Sequence, residues 1–245
     1  MATTRIDQGS SDYPAVLTDR LGENAPPSLY AMGEPSILRQ RLLGLICSIQ
    51  CPGSIVIKTL DAARALRDAG VAVIGGFHSP MEQEFFDILL RGEQPLVLCA
   101  AKGLSDLRVG QAARKTIADG RLLVISPFDD NVRRTTAAQA VQRNNLVAAL
   151  SQTVLVPHAA PGGKTWTTVE AALTRGQLVC TLEDDENTLT KSISASTSSR
   201  SISKADDTLD GVFSIILPRP SSTAVFKTPE HPSICVVSRR GLRRR

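Results

Sequence analysis

The chain has 245 residues, 42% hydrophobic, 21% charged, with a formal net charge of +4, enough for one buried core or one core plus a tail. No apolar run approaches a membrane span, and the first thirty residues lack a basic-then-apolar signal pattern, so a cytoplasmic protein with no membrane role is expected. The net charge divides unevenly: residues 190–245 hold ten basic and four acidic residues, whereas residues 1–189 hold eighteen and twenty. This excludes a general basic field over the folded part, and nucleic-acid contact there must come from a local cluster.

In chain order, residues 1–12 read as polar and without structure, and the stretch from Tyr13 to Gly33 as a lead-in lying across the domain. Apolar residues from Leu42 to Ser48 predict a buried parallel strand. A Pro52-Gly53-Ser54 turn follows, then a helix over 55–69 closed by Gly70. Further predicted elements are strand 71–74, helix 80–90, strand 95–99, a loop with a short helix to Ala118, strand 122–126 and helix 136–151. Strand 154–156, a glycine turn, helix 167–175 and strand 178–182 complete the alternation. Such an order predicts a Rossmann-like doubly wound α/β fold, mainly parallel, with helices on both faces. The expected organisation is a lead-in segment over 1–40, the α/β domain over 41–187, and a low-complexity basic tail over 188–245. Seven serines between Ser192 and Ser203 and the closing arginines give that tail a disordered composition. Short apolar pieces such as Val212–Leu217 and Ile234–Val237 read as segments that order locally.

Right-handed crossovers place Ser48, Gly75, Cys99, Ser126 and Val156 along one sheet edge, where α/β proteins hold phosphate-bearing ligands. Gly162 and Gly163 allow close backbone approach before a helix whose free N–H groups point outward, with Lys164 adding charge and Thr165 or Thr168 a hydroxyl. The spacing is not that of a Walker loop. Arg143 reads as standing where a loop gives way to a helix, its guanidinium free to fork onto a phosphate, with Asn144 beside it. Ser48 reads as a turn or phosphate hydroxyl, and Gly75 and Gly76 as a tight turn near the ligand. His78 reads as a polar loop residue within reach of it, His158 lies on the same edge, and Arg133 with Arg134 form a small positive patch. Glu82 and Glu84 are a candidate general base or simply partners of a helix dipole. Trp166 reads as a stacking or packing residue. The five cysteines show no zinc-like double spacing; Cys47 and Cys51 form a lone pair, and buried free thiols are the expectation. No metal or cofactor is implied.

The set Val73-Ile-Gly75-Gly76-Phe-His-Ser-Pro80-Met-Glu82, Arg143-Asn144 and Gly163-Lys164-Thr165…Gly176 resembles the DNA-processing protein A (DprA/Smf) family, whose domain belongs to the Rossmann-like SMF/LOG superfamily. The resemblance spans roughly residues 13–185 and includes the Tyr-Pro…Leu-Tyr-Ala-Met-Gly lead-in. It implies single-stranded DNA as partner, a recombinase to be loaded, a homodimer, and a phosphate-holding pocket rather than a catalytic centre. Three motifs depart from the family: Cys47-Ser48-Ile49 replaces Gly-Ser-Arg, Pro80-Met81-Glu82…Phe86 replaces Gly-Ile-Asp…His, and Arg143-Asn144-Asn145 replaces Arg-Asn-Arg. Lys164 adds a cation where the family has a Ser-Gly-Ser turn. Pro161-Gly162-Gly163 with Glu170 also resembles the phosphoribohydrolases of the same superfamily, which keeps open a nucleotide ligand or the hydrolysis of a nucleoside monophosphate. A third reading assigns any nucleic-acid affinity to the arginines of the tail.

Overall fold

Runs such as Leu122–Ser126 bury every residue, as strands covered on both faces do. The computed structural model describes residues 2–182, 184, 186 and 187 together with strands 223–227 and 234–239. Its strands are β1 (Thr4–Asp7), β2 (Ser28–Met32), β3 (Leu43–Leu45), β4 (Val73–Gly75), β5 (Leu96–Cys99), β6 (Leu122–Ser126), β7 (Thr153–Leu155), β8 (Leu178–Leu182), β9 (Thr223–Lys227) and β10 (Ile234–Arg239). They form one sheet in the order β1-β2-β6-β5-β4-β3-β7-β8-β10-β9. The block from β6 to β8 is parallel and continues in parallel into β10, while β1, β2 and β9 run antiparallel to their inner neighbours.

The helices are α1 (Ala15–Leu21), α2 (Gly53–Asp68), α3 (Pro80–Leu90), α4 (Gln111–Ala118), α5 (Ala137–Leu150) and α6 (Lys164–Thr174). From β3 the chain steps outward to β6 through α2, α3 and α4, then returns past β3 through α5 to β7. A right-handed crossover puts outward and returning helices on opposite faces. Alternation along the strands shows this directly: Val73, Leu96, Leu122 and Leu155 face the α2–α4 layer, and Ile74, Val97, Leu123 and Val154 face α5, α6 and α1. The chain therefore has a sheet between two helical layers, as its alternation predicts. Among the described residues no helix is long and apolar enough to cross a membrane.

Several boundaries differ from the expected ones. Residues 1–12 are not structureless: β1 lies within them, with Ile6 buried opposite Leu29. One apolar residue in a four-residue edge strand is too weak a periodic signal to read. The lead-in supplies α1 and β2, and Tyr13 Oη donates to the Pro26 carbonyl at 2.6 Å. The helix expected at 167 starts at Lys164, because Gly163 already serves as its N-cap. Within the tail, β9 and β10 join the sheet beside β8, so those segments are not disordered. The apolar piece 234–237 falls in β10, and 212–217 lies outside the described residues.

The centre of the sheet is packed tightly enough to be tested. A Cβ on Gly44 of β3 would run into the Ser151 side chain, whose hydroxyl is fixed by donating to the Val147 carbonyl at 2.5 Å. Gly44→Ala is expected to lower stability by about 1–3 kcal/mol through overpacking, read as a lower denaturant midpoint at unchanged slope. An unmoved midpoint would mean that the end of α5 shifts without cost.

Candidate nucleic-acid interface

The topological switch, where strand order reverses, lies between β3 and β7. Open crevices at such points hold ligands in many α/β proteins, but here the loops are stitched together. Ser48 N donates to the His158 carbonyl at 3.0 Å, and Ala160 N donates to Ser48 Oγ at 3.1 Å. Ser48 thus holds two loops together and does not line the cavity described next.

The cavity, of about 530 Å3, opens beyond the ends of β4 and β5. Its walls carry Lys102, Arg108, Arg133, Arg134 and Arg143, with no carboxylate among the lining residues. The loops after β5 and β6 hold these cations in place through mutual bonds. Ser126 Oγ donates to the Lys102 carbonyl at 2.7 Å, and Gly103 N to the Val132 carbonyl at 2.8 Å. Gly110 lies on the rim and caps α4 without a side-chain bond, so backbone N–H groups at that helix start also face an incoming anion. Phe77, Phe86 and Leu98 form an apolar wall, the two rings stacked with centroids 4.5 Å apart.

Arg143 is the central feature. It does not stand in a loop: a capping box between Thr136 and Gln139 starts α5 well before it, and the residue is buried at 6% exposure. Its Nε has no hydrogen-bond partner, and among the described residues it makes no ion pair with a carboxylate. Burying an unpaired guanidinium costs several kcal/mol or so unless an anion reaches it. Beneath it, burial pushes the Cys99 thiol up to about 12, against the pull of the Arg143 charge. Cys99 therefore remains a neutral thiol.

Gly75 and Gly76 have a different role from the tight turn expected of them. Neither adopts a positive φ; in this turn that conformation falls to Phe77, at φ 45°. A Cβ on Gly76 would occupy the space of the Arg143 guanidinium, and one on Gly75 would press on the Phe77 ring at 2.8 Å. These glycines are small so that the arginine and the ring can lie against the backbone. Phe77 in the left-handed region is the kind of backbone strain that gathers at functional sites.

Glu82 is buried, and its carboxylate accepts N–H groups from Cys47 at 3.1 Å, His78 at 3.0 Å and Ser79 at 3.2 Å. It closes a capping box on α3 and ties the β3 loop to the β4 loop. Glu82 is thus a clamp; Glu84 is exposed and is not among the residues lining this cavity. Trp166 Nε1 donates to Glu170 Oε1 at 2.8 Å, which pairs these two candidates with each other on α6.

Of the sequence-predicted residues, Gly76, His78 and Arg143 line the cavity together with Arg133 and Arg134, whereas Asn144, Gly162, Gly163, Lys164 and Thr165 do not. The glycine turn lies on the other side of the stitched switch point, with Gly162 at φ 67° and Lys164 exposed. The sequence does not mark Lys102, Arg108 or Phe77 as site residues, and it marks Phe86 only as a departure from the family motif. Lys102 follows a buried strand by three residues, the one local signal that could have marked it. The Cys47 thiol is buried and pushed up by its hydrogen bond with Cys51, which draws the half-buried Cys51 down; Cys47, Cys51, Cys99 and Cys180 are all free.

His158 gives the edge a pH dependence. It is buried with Nδ1 unpartnered, and burial lowers its pKa from 6.5. An unfolded chain then takes up the proton first as pH falls, so stability is full above about 6.5 and declines as pH drops through the depressed native value. His158→Gln is expected to flatten that decline between pH 7.5 and 5.5. Parallel pH profiles for parent and variant would rule out the linkage.

A sequence model of the DNA recombination-mediator protein A family matches residues 4–210. No curated protein matches the chain. The fold is similar to that of DNA processing protein A from Streptococcus pneumoniae, with a TM-score of 0.63 at 17% identity over 75% of this chain and 64% of that one. It is similar as well to DNA processing protein A from Helicobacter pylori, described for its single-stranded DNA binding mode, with a TM-score of 0.62 at 18% identity over 79% of this chain and 87% of that one. At these identities the structural likeness establishes the Rossmann-like fold, and the sequence match establishes descent: the chain belongs to the DNA recombination-mediator protein A family.

Proposed function

We propose that the protein binds single-stranded DNA in the cavity beyond β4 and β5, with a backbone phosphate against Arg143 and an unstacked base on the Phe77–Phe86 wall. The observation that carries this reading is a buried guanidinium with an unpartnered Nε, ringed by four further cations and no carboxylate. Phosphate contacts supply most of the affinity of such a site, and an apolar wall accepts any base without reading its sequence. A cavity of about 530 Å3 takes one extruded nucleotide and not a stacked duplex, which gives the preference for single strands. The role this binding serves is recombination mediation during DNA uptake: a strand held in the cytoplasm and passed to a recombinase, with a homodimer offering two such cavities. The solved relative from Helicobacter pylori, whose description names single-stranded DNA binding, supports the same reading.

A mononucleotide fits the same chemistry, and its ability to compete with the oligonucleotide measures that alternative. Hydrolysis gains no support, since Glu82 is committed to backbone N–H groups and Glu170 to Trp166.

Removing the tail is a poor test, because it would strip β9 and β10 from the sheet. The test uses the full chain, by fluorescence anisotropy of a labelled oligonucleotide across salt concentrations. One variant carries Arg108, Arg133 and Arg134 as Gln; a second carries Arg243, Arg244 and Arg245 as Gln. The first is expected to bind more weakly and to flatten the slope of log K against log salt by about 2, at roughly 0.7 for each lost phosphate contact. The second is expected to keep its preference for single strands over duplex. Loss of binding in the tail variant alone would move the interface to the tail.

A further inference from the structure

A second cavity of about 570 Å3 lies at the opposite edge of the sheet, below the starts of β3, β4, β7 and β8. It shares no lining residue with the first. Arg20, Arg41 and Arg175 line it with Gln40, Gln152 and Gln177, and no carboxylate is among its lining residues.

Part of this charge has a structural task. The carbonyls ending α5 face the cavity, and such carbonyls attract cations. Arg20 Nη1 donates to the Ala149 carbonyl at 2.8 Å and the Ser151 carbonyl at 2.5 Å. Gln177 Nε2 donates to the Ala148 carbonyl at 2.7 Å. The carbonyls are thereby satisfied by Arg20 and Gln177, and Arg175 is left over. Arg175 Nε donates to Gln177 Oε1 at 3.0 Å, which fixes the plane of its guanidinium, while its Nη2 is buried with no hydrogen-bond partner. Burial, and after it the nearby Arg20 charge, pulls the Arg175 pKa down. Asp19 acts on Arg20 but is not part of the lining. Two guanidinium groups are thus held near one another, one anchored by a single nitrogen with a second nitrogen unsatisfied. A bound anion would satisfy that nitrogen and offset the repulsion.

We propose that this cavity is a second anion site, taking the phosphate group of a small phosphorylated sugar or nucleoside. Arg175 and Arg41 hold the phosphate, and the exposed amides of Gln40 and Gln152 meet the hydroxyls. The volume is within the range of roughly 300–1,000 Å3 typical of small-ligand sites. The site lies apart from the DNA cavity, so it can be filled while DNA is bound.

Calorimetric titration of the full chain tests it, with ribose 5-phosphate as probe, ribose as control, and an oligonucleotide with and without a 5′-phosphate. Variants are Arg175→Gln, Arg175→Lys, Arg41→Gln and, at the other cavity, Arg143→Met. Expected are binding of ribose 5-phosphate but not ribose, a tenfold or greater loss in Arg175→Gln, and a smaller loss in Arg175→Lys, while Arg143→Met keeps the component of binding that depends on Arg175. Arg41 is exposed and outside the packed core, so Arg41→Gln keeps the test open if Arg175→Gln does not fold; it is expected to weaken binding severalfold. A 5′-phosphate-dependent gain by the oligonucleotide that Arg175→Gln abolishes would identify a DNA end as the source of the phosphate. The proposal is overturned if no phosphate probe binds, if parent, Arg175→Gln, Arg175→Lys and Arg41→Gln bind alike, or if only Arg143→Met loses binding.

Discussion

Arg143→Met is expected to make the protein more stable and to cost it most of its affinity for single-stranded DNA. The two effects have one cause. In the free protein the guanidinium is desolvated at 6% exposure, its Nε unpartnered, with no carboxylate among the described residues that line the cavity. Methionine keeps much of the unbranched stem that packs in α5 and removes the buried charge. Replacing buried ionic groups with apolar ones of similar size stabilises some proteins by about 1–4 kcal/mol. Even about 1 kcal/mol here would raise Tm by roughly 2–4 °C. In the proposed complex the same charge would face phosphate, where a charged hydrogen bond contributes about 1.5–3 kcal/mol. Its loss weakens binding roughly ten- to a hundredfold. Thermal melts and anisotropy titrations on the same preparations read both signs. A variant that is less stable and binds normally would show Arg143 to be a packing residue, and the proposed interface would fail.

Gly76→Ala should reproduce the binding loss from the other side of the same contact. The added Cβ would occupy the space of the Arg143 guanidinium, so the arginine must swing away or the β4 loop must move. Overpacking of this kind costs typically about 1–3 kcal/mol, and binding falls with the displaced charge. The double variant separates this account from simple damage to the turn. With Arg143 already shortened to methionine there is less to collide with, so Gly76→Ala should cost clearly less in that background. Contacting residues couple by about 0.5–3 kcal/mol in such cycles. Strict additivity would show that Gly76 acts through the backbone alone, even though its φ is not positive.

Much of the architecture is legible residue by residue. Strands β6 and β8 and helix α3 occupy the positions that their apolar runs and caps predict, 122–126, 178–182 and 80–90. These elements carry a strong local signal: several buried apolar residues in a row, or a Ser-Pro start with Glu three positions after the cap. Edge elements carry less. β1 rests on Ile6 alone for its buried contact, and β9 lies in a stretch whose composition argues against order, where the short apolar piece 234–237 of β10 stands out. Their strand form depends on the exposed hydrogen-bonding edge of β8, a partner that no local window contains.

The site divides in the same way. The sequence by itself determined the alternation of strands and helices, the edge where glycines and cations gather, and the family. Periodicity and turn chemistry are properties of neighbouring residues, and right-handed crossovers carry them into a topology. Tertiary structure alone decided which of those cations share a cavity. Arg143 and Gly76 are far apart in sequence and meet only because α5 crosses back over β4, while Ser48 and His158 close the switch point that the strand order would otherwise leave open. Lys164 carries the same charge as Arg143 but stands on the far side of that closure. Charge is written in the sequence; burial and the absence of a partner, which make a charge receptive to phosphate, arise only where distant segments pack.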